Sequence, residues 1–330
     1  MVLKAPRPAA ESPLTLEERP PPVPGPGELL LHVSACAVCR TDLQLAEGDV
    51  QARALPIVPG HQAVGRVEAI GAGVEGWALG DRAGVGWLAE ACGACRFCAA
   101  GRENLCEQAR FTGWDRDGGF AERATVRAGY ALRLPEGFAD TDAAPLLCGG
   151  IIGYRSLKRS GIRPGGRLGL YGFGASALLA LQVAKHWGCQ VYVCSRSEKD
   201  RERAFAHGAD WYGGYDDRPP APLDAAITFA PAGSVVVAAL AALDRGATVA
   251  INAIHLDAMP EFPYELLWLE RNVVSVANYT RADAAEFLDL AAAIGIRTRT
   301  QVFALEDANQ ALVELSEVRI EGAAVLRMPS

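Results

Sequence analysis

The sequence predicts an α/β protein whose middle is a doubly wound parallel sheet, and two observations carry that prediction. From about residue 150 to residue 283, short apolar runs alternate with Ala- and Leu-rich helical stretches over short connections, which is the pattern of a parallel sheet covered on both faces. Within it, Gly172-Phe173-Gly174-Ala175-Ser176-Ala177 follows one apolar run and opens a helix. That order is the G-x-G-x-x-A turn of a dinucleotide-binding Rossmann unit. The two ends of the chain have a different texture, strand-and-loop before residue 150 and two helices with a closing strand after residue 283.

In chain order, the segment RPPPVPGPG at 19–27 is a rigid turn, because proline fixes φ and lacks the N–H that a helix or central strand needs. The runs 29–35 and 63–70 are apolar, bounded by Pro and Gly, and read as strands. RLGLY at 167–171 is a strand, 175–187 a helix, and QVYVC at 190–194 a second strand. Helices follow at 198–207 and 235–243, with strands at 223–229 and 247–254. Helices at 282–294 and 305–315 and a strand at 323–328 close the chain.

Composition bounds the function. The 330 residues suit two domains of about 150 residues each. Half of them are hydrophobic and 22% charged, enough to build a large core. The net charge is −7, with 32 bases against 39 acids and no basic block, which argues against nucleic acid as a partner. The longest apolar stretch, 235–243, is about half the roughly 18 residues of a membrane span. The first ten residues contain two prolines and no apolar signal core, so a soluble, cytoplasmic protein is expected. In that reducing setting nine cysteines, an odd number, point to metal ligation or catalysis and not to a disulfide framework.

Four of them, Cys92, Cys95, Cys98 and Cys106, form the pattern C-x2-C-x2-C-x7-C. Closely spaced thiolates on one loop can converge on a tetrahedral ion and close its coordination, so this is a structural zinc motif with no open position for chemistry. A dispersed set, Cys39, His61 and Cys148, offers two thiolates and one imidazole. Three protein ligands leave a fourth position for water or substrate. Asp42 is placed to accept a hydrogen bond from the second nitrogen of His61, which would fix the ligating imidazole.

At the dinucleotide turn, Gly172 permits the tight bend, Gly174 lets a pyrophosphate approach the backbone, and Ala177 allows close helix–strand packing. The helix N-terminus then faces the phosphate charge. The end of the next strand carries Ser195-Arg196-Ser197 in place of an acidic residue, with Lys199 and Arg201 nearby. Hydroxyls and a guanidinium suit a 2′-phosphate, which favours NADP(H) over NAD(H).

Together CRTD at Cys39–Asp42, Gly60-His61, the four-cysteine lobe, GDR at 80–82, DGGFAE at 117–122, PLLC at 145–148 and the GFG turn stand in the order and spacing of one family. Over essentially its full length the sequence resembles the zinc-dependent medium-chain alcohol dehydrogenases. The resemblance implies a partly open β-barrel, GroES-like catalytic domain over 1–149 and 284–330, with the Rossmann cofactor domain over 150–283 between them and the substrate cleft at their junction. It implies two zinc ions per chain, the catalytic one on Cys39, His61 and Cys148 and the structural one on the four-cysteine lobe. It further implies that Thr41 carries the alcohol proton away, that Arg40 touches the cofactor pyrophosphate, and that Val50, Trp87 and Trp114 line an apolar pocket for primary alcohols and aldehydes. Relatives are dimers or tetramers, so a homodimer or homotetramer acting on a small molecule is expected.

The sequence departs from the family pattern at three places. Gln44 stands where many relatives end the proton relay with His, Gln62 where they carry Glu beside the ligand His, and Ala323 where many have a pyrophosphate-directed arginine. These bear on rate and cofactor affinity more than on reaction type. Two other readings remain open on the residues: a zinc-free NADPH quinone or enoyl reductase on the same scaffold, and a catalytically weak dinucleotide-binding zinc protein.

Overall fold

The strand Arg167–Tyr171, buried over its last four residues, is an inner strand of a six-stranded parallel sheet. From edge to edge the sheet runs Trp211–Gly213, Gln190–Cys194, Arg167–Tyr171, Leu223–Thr228, Leu243–Ile251 and Asn272–Ser275. Numbered within the sheet by chain position, that order is 3-2-1-4-5-6, the Rossmann order, in which the topology reverses beside the first strand. Helices Gly149–Ser160, Ala175–His186, Glu198–Ala206 and Gly233–Ala241 belong to the same region of the chain. Ala177, Leu178, Leu181, Val183 and Ala184 bury the inner face of the second of these. The computed structural model describes residues 1–329.

This sheet belongs to one of two compact units, Gly149–Ala277 with Ala293–Ile296. The other holds Met1–Cys148, Asn278–Ala292 and the segment from Arg297. Its spine is the long strand Glu28–Val38, buried at nine of eleven positions. One edge of this strand pairs antiparallel with Ala63–Ile70, and the other with Arg123–Arg127 and then Ala323–Arg327. Register shifts at Leu30/Leu31 and Val33/Ala35 bend it, as bulges do where a sheet curves toward closure. Arg82–Val85 and Leu132–Arg133 extend one side of the sheet and Thr300–Ala304 the other. Leu29, Leu31, Val33, Val67, Val126 and Leu326 meet in its core.

The structure departs from the periodicity at several elements. The strand expected at 247–254 is Leu243–Ile251, because Leu243 pairs with Leu223 ahead of a register shift and the polar Asp-Arg-Gly stretch is carried within the strand. The helix expected at 305–315 begins with a 3-10 turn, Leu305–Asp307, and continues as Ala308–Ser316. Helix Gly149–Ser160, masked in the sequence by its opening glycines, packs tightly on the Rossmann helix. A Cβ on Gly149 would lie 3.0 Å from Ser176 Oγ, and one on Gly153 3.1 Å from the Ser176 carbonyl. Among the described residues no helix is long and apolar enough to cross a membrane.

Candidate active site and metal centres

Cys39 leaves the spine strand in an extended conformation and caps the helix Arg40–Glu47. Asp42, at the third helical position, reaches back so that its Oδ2 accepts the Cys39 backbone N–H at 2.8 Å. Gly48, with φ 90°, ends that helix. The other Asp42 oxygen accepts from the Gly60 N–H and from His61 Nδ1, each at 3.2 Å. Gly60 has φ 95°, and a Cβ there would lie 2.4 Å from the ring of Phe120, so no other residue fits the turn that presents His61. Cys148 follows the 3-10 turn Ala144–Leu147.

These elements gather Cys39, His61 and Cys148 so that their donor atoms all lie within 4.8 Å of one another. His61 is buried, and both thiols are half-buried. Hydrogen bonding from Cys148 holds the Cys39 thiol well below its usual range, overcoming its burial, and His61 reinforces this. Contact with Cys39, and burial, push Cys148 the other way. Burial disfavours an imidazolium at His61, yet Asp42 and Cys39 outweigh it and raise the group to about 10. The site therefore favours a thiolate beside a positive charge. Two sulfurs and a ring nitrogen, with Asp42 holding the proton on Nδ1, are the donor chemistry of a zinc site with one position left open.

Around these donors the other residues singled out in the sequence take distinct places. Thr41 Oγ1 stands 3.8 Å from Cys39 Sγ. Arg40, on the first turn of the helix, is exposed. Gln44 is buried, and its Oε1 has no hydrogen-bond partner among the described residues. Gln62 is buried with its amide directed at the Ala37 carbonyl, 3.4 Å away. Ala323 is half-buried in the strand that pairs with Thr300–Ala304.

Trp87 stands edge-on to the His61 ring, with centroids 4.6 Å apart. It stacks on Phe111 at 5.3 Å and on Trp114 at 5.6 Å. The Arg53 guanidinium covers the Trp114 ring at 3.9 Å and pairs with Asp115 at 3.3 Å. The Trp114 indole donates to the Gln51 carbonyl at 2.8 Å, and the N–H of half-buried Val50 bonds the Gln44 carbonyl. Trp87 and Trp114 thus form a continuous aromatic wall with the candidate ligand His61.

In the four-cysteine lobe all four sulfurs lie within 4.8 Å of one another and none forms a disulfide. The Cys95 N–H points at Cys92 Sγ at 3.3 Å, and the Cys92 N–H at Cys106 Sγ at 3.5 Å. Backbone N–H groups of Ala94 and Cys95 bring the Cys92 thiol down to about 6. Four converging sulfurs with amides aimed at them suit a closed tetrathiolate ion site.

In the sheet unit, Gly172 takes φ 91°, and a Cβ there would lie 2.9 Å from the Ala230 nitrogen. A Cβ on Gly174 would meet no atom within 4 Å, so the N-terminus of the helix Ala175–His186 presents bare backbone, as a pyrophosphate requires. Phe173 is buried under Arg203, which also donates to its carbonyl. Ser176 faces Gly149. Ser195 is buried, Arg196 exposed, and Ser197 caps the helix Glu198–Ala206 by accepting the Asp200 N–H at 3.3 Å. The Asp200 carboxylate lies 3.5 Å from Ser195 Oγ and is paired with Arg203 at 2.9 Å. Tyr279, which no local motif marks, is buried against Gly86, next to Trp87.

Residues 25–136 match the family model of the alcohol dehydrogenase GroES-like domain, and residues 175–293 that of the zinc-binding dehydrogenases. A probable alcohol dehydrogenase, AdhA, of Mycobacterium tuberculosis is 48% identical over 330 residues, covering 98% of this chain and 95% of its own. A cinnamyl alcohol dehydrogenase structure from Sorghum bicolor superposes with a TM-score of 0.90 at 27% identity, over 99% of this chain and 97% of the other. A cobalt- and zinc-bound thermostable alcohol dehydrogenase from Pyrobaculum aerophilum gives 0.89 at 29% identity, over 99% and 98%.

Proposed function

The chain belongs to the zinc-type medium-chain alcohol dehydrogenase family, and from that premise we propose a zinc-dependent, NADP(H)-linked enzyme that interconverts primary or secondary alcohols with aldehydes or ketones. The observation that carries this reading is the convergence of Cys39, His61 and Cys148, with Asp42 behind the imidazole. A zinc ion on these three donors would supply Lewis acidity toward an alcohol or carbonyl oxygen, and a nicotinamide dinucleotide at the Gly172–Ala177 turn would supply the hydride acceptor or donor.

The chain's own residues supply the rest. Asp42 accepts from His61 Nδ1, so Nε2 is the nitrogen that would ligate the ion, giving up its own proton as the metal binds. The Thr41 hydroxyl, beside Cys39 Sγ, is the group that takes the alcohol proton. Beyond it the buried Gln44 amide cannot titrate, so the proton continues to water. Trp87 and Trp114 give an apolar wall suited to aliphatic or aromatic alcohols. Ser195, Arg196 and Ser197 place hydroxyls and a positive charge, with no carboxylate among the three, at the strand end where the adenosine ribose of a dinucleotide is read. The four-cysteine lobe is the closed, structural zinc site.

Metal analysis joined to NADP- and NAD-linked assays over a panel of primary alcohols and aldehydes tests the proposal. Two zinc ions per chain with alcohol-dependent NADPH formation support it. A zinc-free chain that reduces quinones or enones, or a zinc-loaded chain inert toward the whole panel, refutes it.

A further inference from the structure

We propose that Tyr279 is a positioning residue, whose hydroxyl, wedged against Gly86, holds the backbone from Gly86 to Leu88 and thereby sets where Trp87 stands beside His61. The inference rests on the reading that Trp87 lines the alcohol pocket. Tyr279 is 2% exposed. A Cβ on Gly86 would lie 1.7 Å from the phenol oxygen, 2.8 Å from its ring carbon Cζ and 3.2 Å from the Leu147 carbonyl oxygen. The phenol tip and the Leu147 carbonyl, next to Cys148, therefore both crowd the face of Gly86 on which a side chain would stand, and leave no room for one. Burial pushes the Tyr279 phenol well above its usual range, and the Leu88 and Trp87 amides only partly oppose that, so the hydroxyl stays protonated against the Gly86 backbone.

The mount behind Tyr279 is rigid. Asn278 adopts a left-handed conformation, φ 51°, which asparagine tolerates better than most residues. Thr280 and Asp283 cap the helix Arg281–Ile294 reciprocally, with the Thr280 N–H donating to Asp283 at 3.0 Å and the Asp283 N–H to Thr280 Oγ1 at 3.1 Å. The Arg281 N–H donates to Glu103 in the four-cysteine lobe at 2.9 Å. On its other side Trp87 is packed by His61, Phe111 and Trp114. The ring is held by its neighbours and the backbone by Tyr279.

Tyr279→Phe keeps the ring and removes the oxygen that is wedged against Gly86. The test measures kcat and KM for straight-chain alcohols from ethanol to hexanol in Tyr279→Phe, Trp87→Ala and the double variant, with zinc content and NADPH affinity alongside. The hexanol-to-ethanol ratio of kcat/KM should change by at least about fivefold in Tyr279→Phe, mainly through KM, with zinc content and nucleotide affinity retained. The same substitution in the Trp87→Ala background should leave the ratio where Trp87→Ala alone puts it. A Tyr279→Phe ratio equal to wild type, with Trp87→Ala changing it, overturns the proposal and spares the pocket reading. A ratio untouched by Trp87→Ala overturns both. An equal Tyr279→Phe effect with and without Trp87 shows an action that bypasses the indole and also overturns the proposal. Should Tyr279→Phe fail to fold, Tyr279→Leu removes the same hydroxyl and is held to the same ratios.

Discussion

The Asp42 carboxylate accepts from His61 Nδ1 at 3.2 Å through one oxygen while its other oxygen accepts the Cys39 N–H at 2.8 Å. One side chain thus orients two of the three candidate catalytic-zinc ligands. Partners of this kind typically account for a 10- to 100-fold difference in metal affinity. Asp42→Ala should weaken zinc binding at this site by about 10- to 100-fold and remove a helix cap worth about 1 kcal/mol. Chelator competition read by metal analysis checks the first effect, and urea unfolding the second. Affinity equal to wild type would mean that the imidazole is held by other contacts.

Gln44 is buried in the middle of the helix that Cys39 caps, and its Oε1 lacks a partner among the described residues. An amide does not titrate between pH 5 and 9, so the wild-type hydride step should show little dependence on a group near neutrality. Gln44→His introduces such a group. Single-turnover rates with deuterated and protiated alcohol, followed across pH, should gain an inflection near 6 to 7 in the variant. Identical profiles would remove Gln44 from the proton path.

Arg196 is the exposed cation between Ser195 and Ser197. A charge-assisted hydrogen bond to a 2′-phosphate contributes about 1.5–3 kcal/mol. Arg196→Ala should therefore weaken NADPH binding by about 10- to 100-fold and leave NADH binding nearly unchanged. Fluorescence titration with both nucleotides measures this, and equal losses for the two would contradict the assignment of Arg196 to the phosphate.

Glu28 ties the start of the spine strand to Arg116 and to the Gly25 N–H. Burial raises its pKa, but Arg116 and Gly25 outweigh that and hold it below the usual carboxylate value. A carboxylate depressed in the folded state stabilises at pH above its unfolded pKa, about 4.3, and loses that contribution as pH falls through the folded value. Glu28→Gln should lower the urea midpoint at pH 7 and narrow its difference from wild type as pH drops below about 4. A constant difference across that range would show that ionisation of Glu28 does not matter to the fold.

How much of this the sequence disclosed follows from how local each feature is. The Gly172–Ala177 turn and the four-cysteine lobe were legible because all their groups fall within a few residues, and local spacing fixes their geometry. Cys39, His61 and Cys148 are individually ordinary, and only their joint order with neighbouring motifs singled them out. Asp42 could be paired with His61 on chemical grounds, but its second role as the Cys39 cap is a backbone fact. The helix Gly149–Ser160 was hidden because Gly149, Gly150 and Gly153 lower helix propensity, whereas close packing on Ser176 demands Gly149 and Gly153. Tyr279 and Gly86 are almost two hundred residues apart with no periodic relation, so their contact exists only once the sheet has formed.

The most direct measurement is zinc per chain, paired with alcohol-dependent NADPH formation, in wild type and Cys148→Ser. The wild type should carry two zinc ions and turn over. The variant should keep the ion of the four-cysteine lobe, lose or greatly weaken the other, and lose turnover. Two tightly held ions together with wild-type turnover in Cys148→Ser would contradict a catalytic centre built on Cys39, His61 and Cys148.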